Sequence, residues 1–186
     1  LMSTGFATGS VFPIGTTTVT YLVFDASSNF TSCSFDVTIN DTENPSFTCP
    51  PSVFQSNDAG VCGASISYLT PVGLDNCPGV STLLTGGLSS GSLFPIGTTN
   101  VSYLTTDAAG NFATCNFNVT ITDDELPVLA CPSDVNQTND PTVCGAIVNY
   151  VAPVGLDNCP GTVTVHLSGL TSGSFFPVGT SLVSYQ

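Results

Sequence analysis

Basic side chains are missing from this sequence of 186 residues, which contains no lysine or arginine, one histidine and no tryptophan. Thirteen aspartates and glutamates give it a formal net charge of −13 at pH 7. Binding to nucleic acid and attraction to anionic lipid both depend on clustered lysine and arginine, so we expect neither partner. Catalysis through a lysine Schiff base, a phosphate-binding lysine or an arginine finger is excluded for the same reason.

Long hydrophobic runs are missing as well. No apolar run reaches the ~18 residues of a membrane-spanning helix, so we expect no direct insertion into a membrane. The first residues lack the charged and apolar regions of a secretory signal peptide, and we expect the chain to be an interior fragment of a longer protein. Hydrophobic residues still make up 41% of the sequence and include 12 phenylalanines, enough apolar material for packed cores.

The sequence repeats itself at an offset of 82 residues, without insertion or deletion. FPIGTT at Phe12 recurs at Phe94 and, as FPVGTS, at Phe176. Acidic stretches that contain proline, at 40–45 and 122–127, recur in the same phase and are predicted linkers. We therefore predict three units: 1–42, the C-terminal half of a repeat; 43–124, a complete repeat; and 125–186, a repeat that lacks its last strands. An open alternative is that the half-unit completes a neighbouring molecule by strand addition.

Hydrophobic residues alternate with polar ones at a period of two, which predicts half-buried β-strands. Val101, Tyr103 and Thr105 form one such series, and Phe117, Val119 and Ile121 form another. Clusters of glycine, proline, asparagine and aspartate separate these series as turns, and no helix-length amphipathic segment occurs. We predict an all-β fold of tandem, disulfide-stapled, immunoglobulin-like β-sandwiches, with six or seven strands in each repeat.

Several separated motifs resemble the hyalin repeat, or HYR domain. The motifs are an acidic linker, CP at Cys49, CGA at Cys62, DNC at Asp75, FPIGTT at Phe94 and DAAGN at Asp107. The resemblance covers the whole chain and implies an extracellular, immunoglobulin-like module that occurs in tandem in matrix and cell-surface proteins and is associated with adhesion. It implies no catalytic residues. The lack of lysine and arginine is a departure that the family does not require.

Eight cysteines recur at fixed spacing, which predicts disulfide bonds and an oxidising compartment. Paired CxxC ligands, which a zinc site would need, do not occur. Four cysteines in a repeat allow three connectivities; the layout of an immunoglobulin-like sandwich favours Cys49 with Cys77, leaving Cys62 with Cys115. By analogy Cys131 is expected to pair with Cys159, while Cys33 and Cys144 are expected to find partners in missing or neighbouring portions.

Two further kinds of site are predicted from the recurring polar residues. Five N-x-S/T sequons are candidates for N-linked glycans: Asn29, Asn40, Asn100, Asn118 and Asn136. Three of them, Asn40, Asn100 and Asn118, fall on the polar face of their predicted strands. Acidic residues at the linkers are oxygen ligands suited to Ca²⁺, the best candidates being Asp41, Glu43, Asp123, Asp124 and Glu125. The alternative is that these acids simply cap turns.

The repeat carries no recurring catalytic group, so we predict that it is not an enzyme. His166 is the only imidazole, and Leu84 and Met2 occupy the equivalent positions, so a histidine triad cannot belong to the repeat. We expect His166 to pack on a strand.

The function predicted from these patterns is a glycosylated extracellular rod or fibre that associates with itself, with other surface proteins or with glycans. An alternative is a spacer or a carbohydrate- or protein-binding module, whose ligand face would use Leu22, Phe24, Phe30 and Phe112. Ice or mineral binding through Thr16–Thr20 is more remote, because the threonine spacing is not sustained across the units.

Overall fold

The structure, a computed structural model, describes all residues from 1 to 186, and it contains β-strands but no helix. The predicted all-β, immunoglobulin-like class is confirmed, because the strands form several sheets and two disulfides tie them. No helix that could cross a membrane is present. The three predicted units are called repeats 1, 2 and 3 below.

Repeat 2 contributes strands to two sheets. The first sheet has the order β4-β9-β8-β6, in which β4 runs parallel to β9 and β6 runs antiparallel to β8. The second sheet pairs β5 with β7 in antiparallel fashion. The strands are β4 (Val53–Ser56), β5 (Gly63–Ile66), β6 (Ser81–Gly86), β7 (Ser92–Pro95), β8 (Gly97–Thr106) and β9 (Phe112–Thr122).

Most buried hydrophobic side chains of the molecule belong to repeat 2. The alternation predicted for its long strands is confirmed, because the inward series on β8 and β9 is buried while Asn100 and Asn118 are exposed. Removal of apolar surface from water contributes about 25 cal/mol per Å², so these side chains are the main favourable term for folding. The buried hydrophobic set is Ala64, Ile66, Phe94, Val101, Tyr103, Cys115, Phe117, Val119 and Ile121, and the buried polar residues are Thr105 and Asp107.

Repeats 1 and 3 reproduce parts of the same design. Repeat 1 is a three-stranded antiparallel sheet, and repeat 3 consists of three two-stranded antiparallel pairs, β10 with β12, β11 with β14 and β13 with β15. The register Met2↔Tyr21 corresponds to Leu84↔Tyr103 and to His166↔Tyr185. The strands are β1 (Met2–Thr4), β2 (Gly15–Phe24), β3 (Phe30–Ile39), β10 (Val128–Leu129), β11 (Gly145–Val148), β12 (Gly155–Leu156), β13 (His166–Ser168), β14 (Ser174–Pro177) and β15 (Ser184–Tyr185).

The chain divides into two compact units that do not follow the repeat boundaries. One unit contains residues 1–50, 69–87 and 101–117, and the other contains 51–68, 88–100 and 118–186. The junction between repeats 1 and 2 lies within the first unit, and the junction between repeats 2 and 3 lies within the second. The boundaries predicted at 42/43 and 124/125 therefore stay predictions.

The disulfide pairing inferred from the sandwich layout is wrong. Cys49 bonds to Cys115, with 5.6 Å between their Cα atoms. The parallel register Val53↔Val119 explains this pair, because the same separation of 66 residues places Cys49 opposite Cys115.

The second disulfide joins two repeats. Cys62 bonds to Cys159 rather than to Cys115, so the expected Cys131–Cys159 bond is wrong too. The DNC turn, which holds Cys77 and Cys159, brings its carboxylate and sulfur close to the aspartate of the linker that precedes its own repeat. Four of the eight predicted disulfide cysteines are unpaired: Cys33, Cys77, Cys131 and Cys144.

Candidate functional site

Each repeat junction contains a cluster of two carboxylates and one sulfur atom. At the first junction the carboxylates of Asp41 and Asp75 lie with the thiol of Cys77, all within 4.8 Å of one another. At the second junction Asp123, Asp157 and Cys159 form the same arrangement, with Cys159 already bonded to Cys62. The clusters are equivalent at the repeat offset, so the sequence builds this site once for each junction.

The DNC motif supplies half of each cluster through a local turn. The Asp75 carboxylate accepts a hydrogen bond of 2.8 Å from the Cys77 amide, and Asp157 accepts the same bond at 2.8 Å from Cys159. An aspartate that bonds the amide two residues ahead is an Asx turn. The turn directs the carboxylate and the sulfur toward the linker.

The linker aspartate supplies the other half. Asp41 accepts a 3.2 Å bond from the Glu43 amide, and Asp123 accepts a 3.3 Å bond from the Glu125 amide. The loop between β8 and β9 also holds the first linker, because Asn111 Nδ2 in that loop donates to the Asp41 carbonyl oxygen at 3.3 Å. The linker aspartates are therefore held in place before any ion binds.

The other predicted calcium ligands have different contacts. Both carboxylate oxygens of Glu125 accept hydrogen bonds from the Gly60 amide, at 2.9 and 3.0 Å, and one accepts from Asn57 Nδ2 at 3.0 Å. Asp124 accepts a 2.7 Å bond from Ser56 Oγ. These two acids therefore tie the linker to repeat 2, and the structure does not gather them with Asp123 into one ligand set.

Electrostatics at the first junction keep Cys77 protonated. Burial raises the pKa of the Cys77 thiol, and so do a hydrogen bond to Asp41 and the nearby charges of Asp75 and Glu43. Asp75 Oδ2 is buried and has no hydrogen-bond partner. The cluster thus combines a neutral thiol with two acidic groups.

Asp75 and Asp157 are not among the ligands predicted from the sequence, although the structure places them with the linker aspartates. Their recurrence at the repeat offset is the sequence signal that marks them. That recurrence does not show where the turn lies, because the turn is 34 residues beyond the linker in sequence and meets it only through the fold.

All five sequon asparagines are exposed. Asn100 Nδ2 donates to Asn118 Oδ1 at 3.0 Å across neighbouring strands, so these two sequons are adjacent. Asn29 Nδ2 donates to Asp25 Oδ2 at 2.8 Å, and Asn111 repeats this bond to Asp107. A glycan can therefore reach solvent at each site.

The remaining candidates lie away from the junction clusters. His166 packs edge-on against Tyr185 on the neighbouring strand, with ring centroids 5.1 Å apart, as expected for a histidine on a strand. Phe24 and Phe30 lie 5.9 Å apart and are exposed, as is Phe112. Thr16, Thr18 and Thr20 make hydroxyl hydrogen bonds to the next strand.

Comparisons with known proteins agree with the geometry of the repeats. The HYR domain family matches residues 1–39, 40–121 and 122–186. Hyalin from Strongylocentrotus purpuratus is 36% identical over 182 residues, and hyalin from Lytechinus variegatus is 32% identical over 184 residues, each match covering 95% of this chain. The matches span 15% and 34% of those two proteins.

A more distant relative contains other domains as well. The rat sushi, von Willebrand factor type A, EGF and pentraxin domain-containing protein 1 is 33% identical over 119 residues, which cover 62% of this chain and 3% of that protein. With the family matched along the whole length and its repeats joined at junctions of one design, the chain belongs to the HYR domain family.

Proposed function

We propose that this chain is part of an extracellular, non-enzymatic adhesive and structural protein whose tandem HYR repeats form a rod or fibril. The match to two hyalins over nearly the whole chain supports the class of protein. The Cys62–Cys159 disulfide carries the proposal, because it bonds one repeat to the next in addition to the peptide backbone. Such a bond stabilises mainly by restricting the unfolded chain and forms in oxidising compartments.

Noncovalent contacts at the same junction support the proposal. Asn158 Nδ2 donates to the Val61 carbonyl oxygen at 3.1 Å, and Glu125 holds the Gly60 amide. A turn of repeat 2 is thus bonded to both the linker and the DNC turn of repeat 3. A chain that must resist extension benefits from junctions fixed in this way.

Electron microscopy of the native parent protein tests the rod. Strand rise predicts about 30–45 Å of length for each sandwich, so filaments with that axial repeat are expected. Short stalks that end in a distinct globule would contradict the proposal and make the repeats a spacer. Reduction of the sample is the control, because loosened junctions should broaden the spacing.

We propose a calcium site at each junction, formed by Asp41 with Asp75 and by Asp123 with Asp157. The carboxylate oxygens are close enough to contact one ion, since Ca²⁺ takes 6–8 oxygen ligands at 2.3–2.6 Å. The sulfur atoms do not fit, because a hard cation prefers oxygen. Backbone carbonyls and water would complete the shell.

Calorimetric titration of the chain with CaCl₂ tests this site. The Asp123→Asn, Asp157→Asn double variant should lose one of two binding events, while Asp134→Asn, an exposed aspartate outside both clusters, should change neither. Calcium should also raise the melting temperature, because an ion that binds only the folded state stabilises it. Equal binding by the double variant would contradict the site.

Glycans on the five exposed sequons would give this weakly charged surface its solubility. Mass spectrometry of the native protein before and after amidase treatment tests them. Occupancy at Asn100 or Asn118, but not both in one molecule, is expected because the two side chains lie side by side. Unmodified peptides at all five positions would contradict this part of the proposal.

Carbohydrate or protein binding through exposed aromatics is the alternative function. Phe112 is 59% exposed at the start of its strand, and Phe30 occupies the equivalent position in repeat 1. A glycan array probed with the chain and with Phe112→Ala separates the two functions. Binding that disappears with the substitution would favour the binding module.

A further inference from the structure

The two cysteines of the disulfide between repeats each have an unpaired counterpart at the equivalent position of another repeat. Cys159 and Cys77 are one repeat offset apart, and so are Cys62 and Cys144. The disulfide within repeat 2 has the same relation to the other two, because Cys33 corresponds to Cys115 and Cys131 corresponds to Cys49. Each of the four unpaired cysteines is thus the counterpart of a bonded one.

The turn around Cys77 already has the form of the bonded turn. Its amide bond to Asp75 matches the bond between Cys159 and Asp157 at 2.8 Å, and its sulfur lies in the equivalent cluster. Gly79 and Gly161 both take positive φ values, 110° and 118°, directly after the two turns. The geometry that bonds Cys159 is therefore present at Cys77 without its partner.

The turn around Cys144 likewise matches the turn around Cys62. Asp58 accepts a bond of 2.8 Å from Ser65, and Asp140 accepts one of 3.0 Å from Ile147. The Asp58 amide bonds Gly63 and the Asp140 amide bonds Gly145, at 2.7 and 2.8 Å. Cys144 is exposed, so a partner can reach it.

We propose that each of the four unpaired cysteines bonds to a cysteine of an adjoining HYR repeat, so that the two bonds of this structure recur along the array; this series of bonds is called the disulfide ladder. Cys77 bonds to the counterpart of Cys62 in another repeat, and Cys144 bonds to the counterpart of Cys159, so both bonds run between repeats. Cys33 bonds to the counterpart of Cys49, and Cys131 bonds to the counterpart of Cys115, so both bonds complete a repeat. The partner is a complementary HYR repeat, supplied by the same polypeptide or by a second copy of this chain.

The ladder makes one pairing possible between separate copies. Cys144 of one copy would bond Cys77 of the next, and Cys131 would bond Cys33, in a head-to-tail arrangement. Such a head-to-tail arrangement closes into a ring if the rotation between copies allows it, and otherwise it extends into chains. Each bond forms when two thiols give two electrons and two protons to an oxidised low-molecular-weight disulfide, which leaves as two thiols.

The ladder does not depend on the adhesive function, since a spacer built from the same repeats would carry the same bonds. Its consequence is mechanical: adjoining repeats remain attached even when the peptide linker between them is cut. Failure of the ladder and failure of the rod are therefore separate results.

Disulfide mapping of mixed isotopic copies tests the pairing. Equal amounts of unlabelled and ¹⁵N-labelled chain are refolded in a glutathione redox buffer and digested with pepsin, because trypsin has no lysine or arginine to cut. Acidic digestion also suppresses disulfide exchange, since the thiolate is the attacking species. Linked peptides are then identified by mass spectrometry.

The ladder predicts two classes of linked peptides. Cys49–Cys115 and Cys62–Cys159 peptides should be isotopically pure, while about half of the Cys77–Cys144 and Cys33–Cys131 peptides should contain one labelled and one unlabelled half. Free, alkylated thiols at all four positions would overturn the pairing between separate copies. So would other pairings, such as Cys33–Cys77, or bonds that are isotopically pure.

The source of the partner is decided by mapping the native parent protein. Bonds between consecutive repeats, with no change in mass on reduction, identify the same polypeptide as the source. Oligomers that separate on reduction identify separate copies. Unpaired cysteines of the Cys77 type throughout the native array would overturn the ladder.

Cys144→Ser is the matched variant, because it removes an exposed, unpaired thiol and no existing disulfide. It should abolish the Cys77–Cys144 peptide, leave Cys33–Cys131 intact and make Cys77 available to alkylation. A new bond between Cys77 and any other cysteine of the variant would contradict the pairing rule.

Discussion

Equivalent residues of repeats 1 and 2 differ sharply in burial. Phe117 and Tyr103 are 4% and 5% exposed, whereas their counterparts Phe35 and Tyr21 are 50% and 37% exposed. Tyr21 and Tyr103 lie opposite equivalent residues, Met2 and Leu84. The difference arises because residues 1–42 contain counterparts of β6, β8 and β9 but no strand pair like β5 and β7, and a sheet buries one face only against another layer.

One of the two largest effects, of similar size to the truncation of a buried aromatic, is expected from the disulfide that repeat 2 has and its neighbours lack. Replacement of Cys49 and Cys115 by serine should lower the free energy of unfolding by about 2–5 kcal/mol, because the unfolded chain is no longer closed into a long loop. Denaturant titration followed by circular dichroism measures it. In the monomeric chain, where Cys131 is unpaired, Cys131→Ser at the matching position of repeat 3 should change this free energy by less than about 0.5 kcal/mol; an equal loss in both variants would contradict the difference between the repeats.

Truncation of a buried aromatic should have an effect of similar size. Phe117→Ala should cost about 3–5 kcal/mol through lost burial and the cavity left behind. Phe35→Ala is the control, since that ring is half exposed and stacks on Tyr21 at 6.4 Å. Hydrogen exchange of the two regions reads each effect locally; similar losses of protection in both would show that burial does not decide the outcome.

A methyl group added at matched glycines sharpens the comparison between repeats 2 and 3. A Cβ on Gly73 would collide with the hydroxyl oxygen of Thr105 and lie 2.8 Å from that of Thr82, whereas on Gly155 the nearest atoms are 3.1 and 3.2 Å away. Gly73→Ala should therefore destabilise by about 1–3 kcal/mol through overpacking. Thermal melts of both variants check this, and a larger cost for Gly155→Ala would contradict it.

The smallest effect is expected from pH. Burial works to raise the pKa of Asp107, but hydrogen bonds from the Asn111 side chain and amide outweigh it and hold this pKa below its usual 3.8. A lowered folded-state pKa contributes stability above pH 3.8 that is lost as the pH falls through the folded-state value. Asn111→Ala should thus raise the NMR titration midpoint of Asp107 and shift acid unfolding to higher pH.

The matching pair in repeat 1 is the control for that titration. The Asn29 side chain and amide lower the pKa of Asp25 in the same way, but Asp25 is exposed. Asn29→Ala should likewise raise the midpoint of Asp25, and by the same linkage the shift of acid unfolding should follow the shift of the midpoint in both variants. A shifted midpoint without a shift of acid unfolding would contradict this.

Local features of the fold were predictable because each follows from the chain nearby. The alternation on β8 and β9 predicted which side chains are buried, and the positions of Asn100 and Asn118 on the opposite phase predicted their exposure. The 82-residue offset predicted that the acidic linkers recur in the same phase as the rest of the repeat. Asx turns at Asp75 and Asp157 belong to the same local class.

Long-range pairings were not predictable from the same patterns. The choice of Cys115 for Cys49 depended on a parallel strand register, and the choice of Cys159 for Cys62 depended on how two repeats meet. Linker acids gave a charge pattern without the turn that completes the cluster. In each case the partners are far apart in sequence, and spacing alone carries no information about which of them meet.

The sequence by itself determined the repeat, its period, its strands, its turns and its lack of basic chemistry, because periodicity and composition act on neighbouring residues. Only the tertiary structure decided which cysteines bond, which acids share a junction and which repeat has a buried core. These depend on the opposing layer of a sandwich and on the register between distant strands, which form only when the whole repeat is in place.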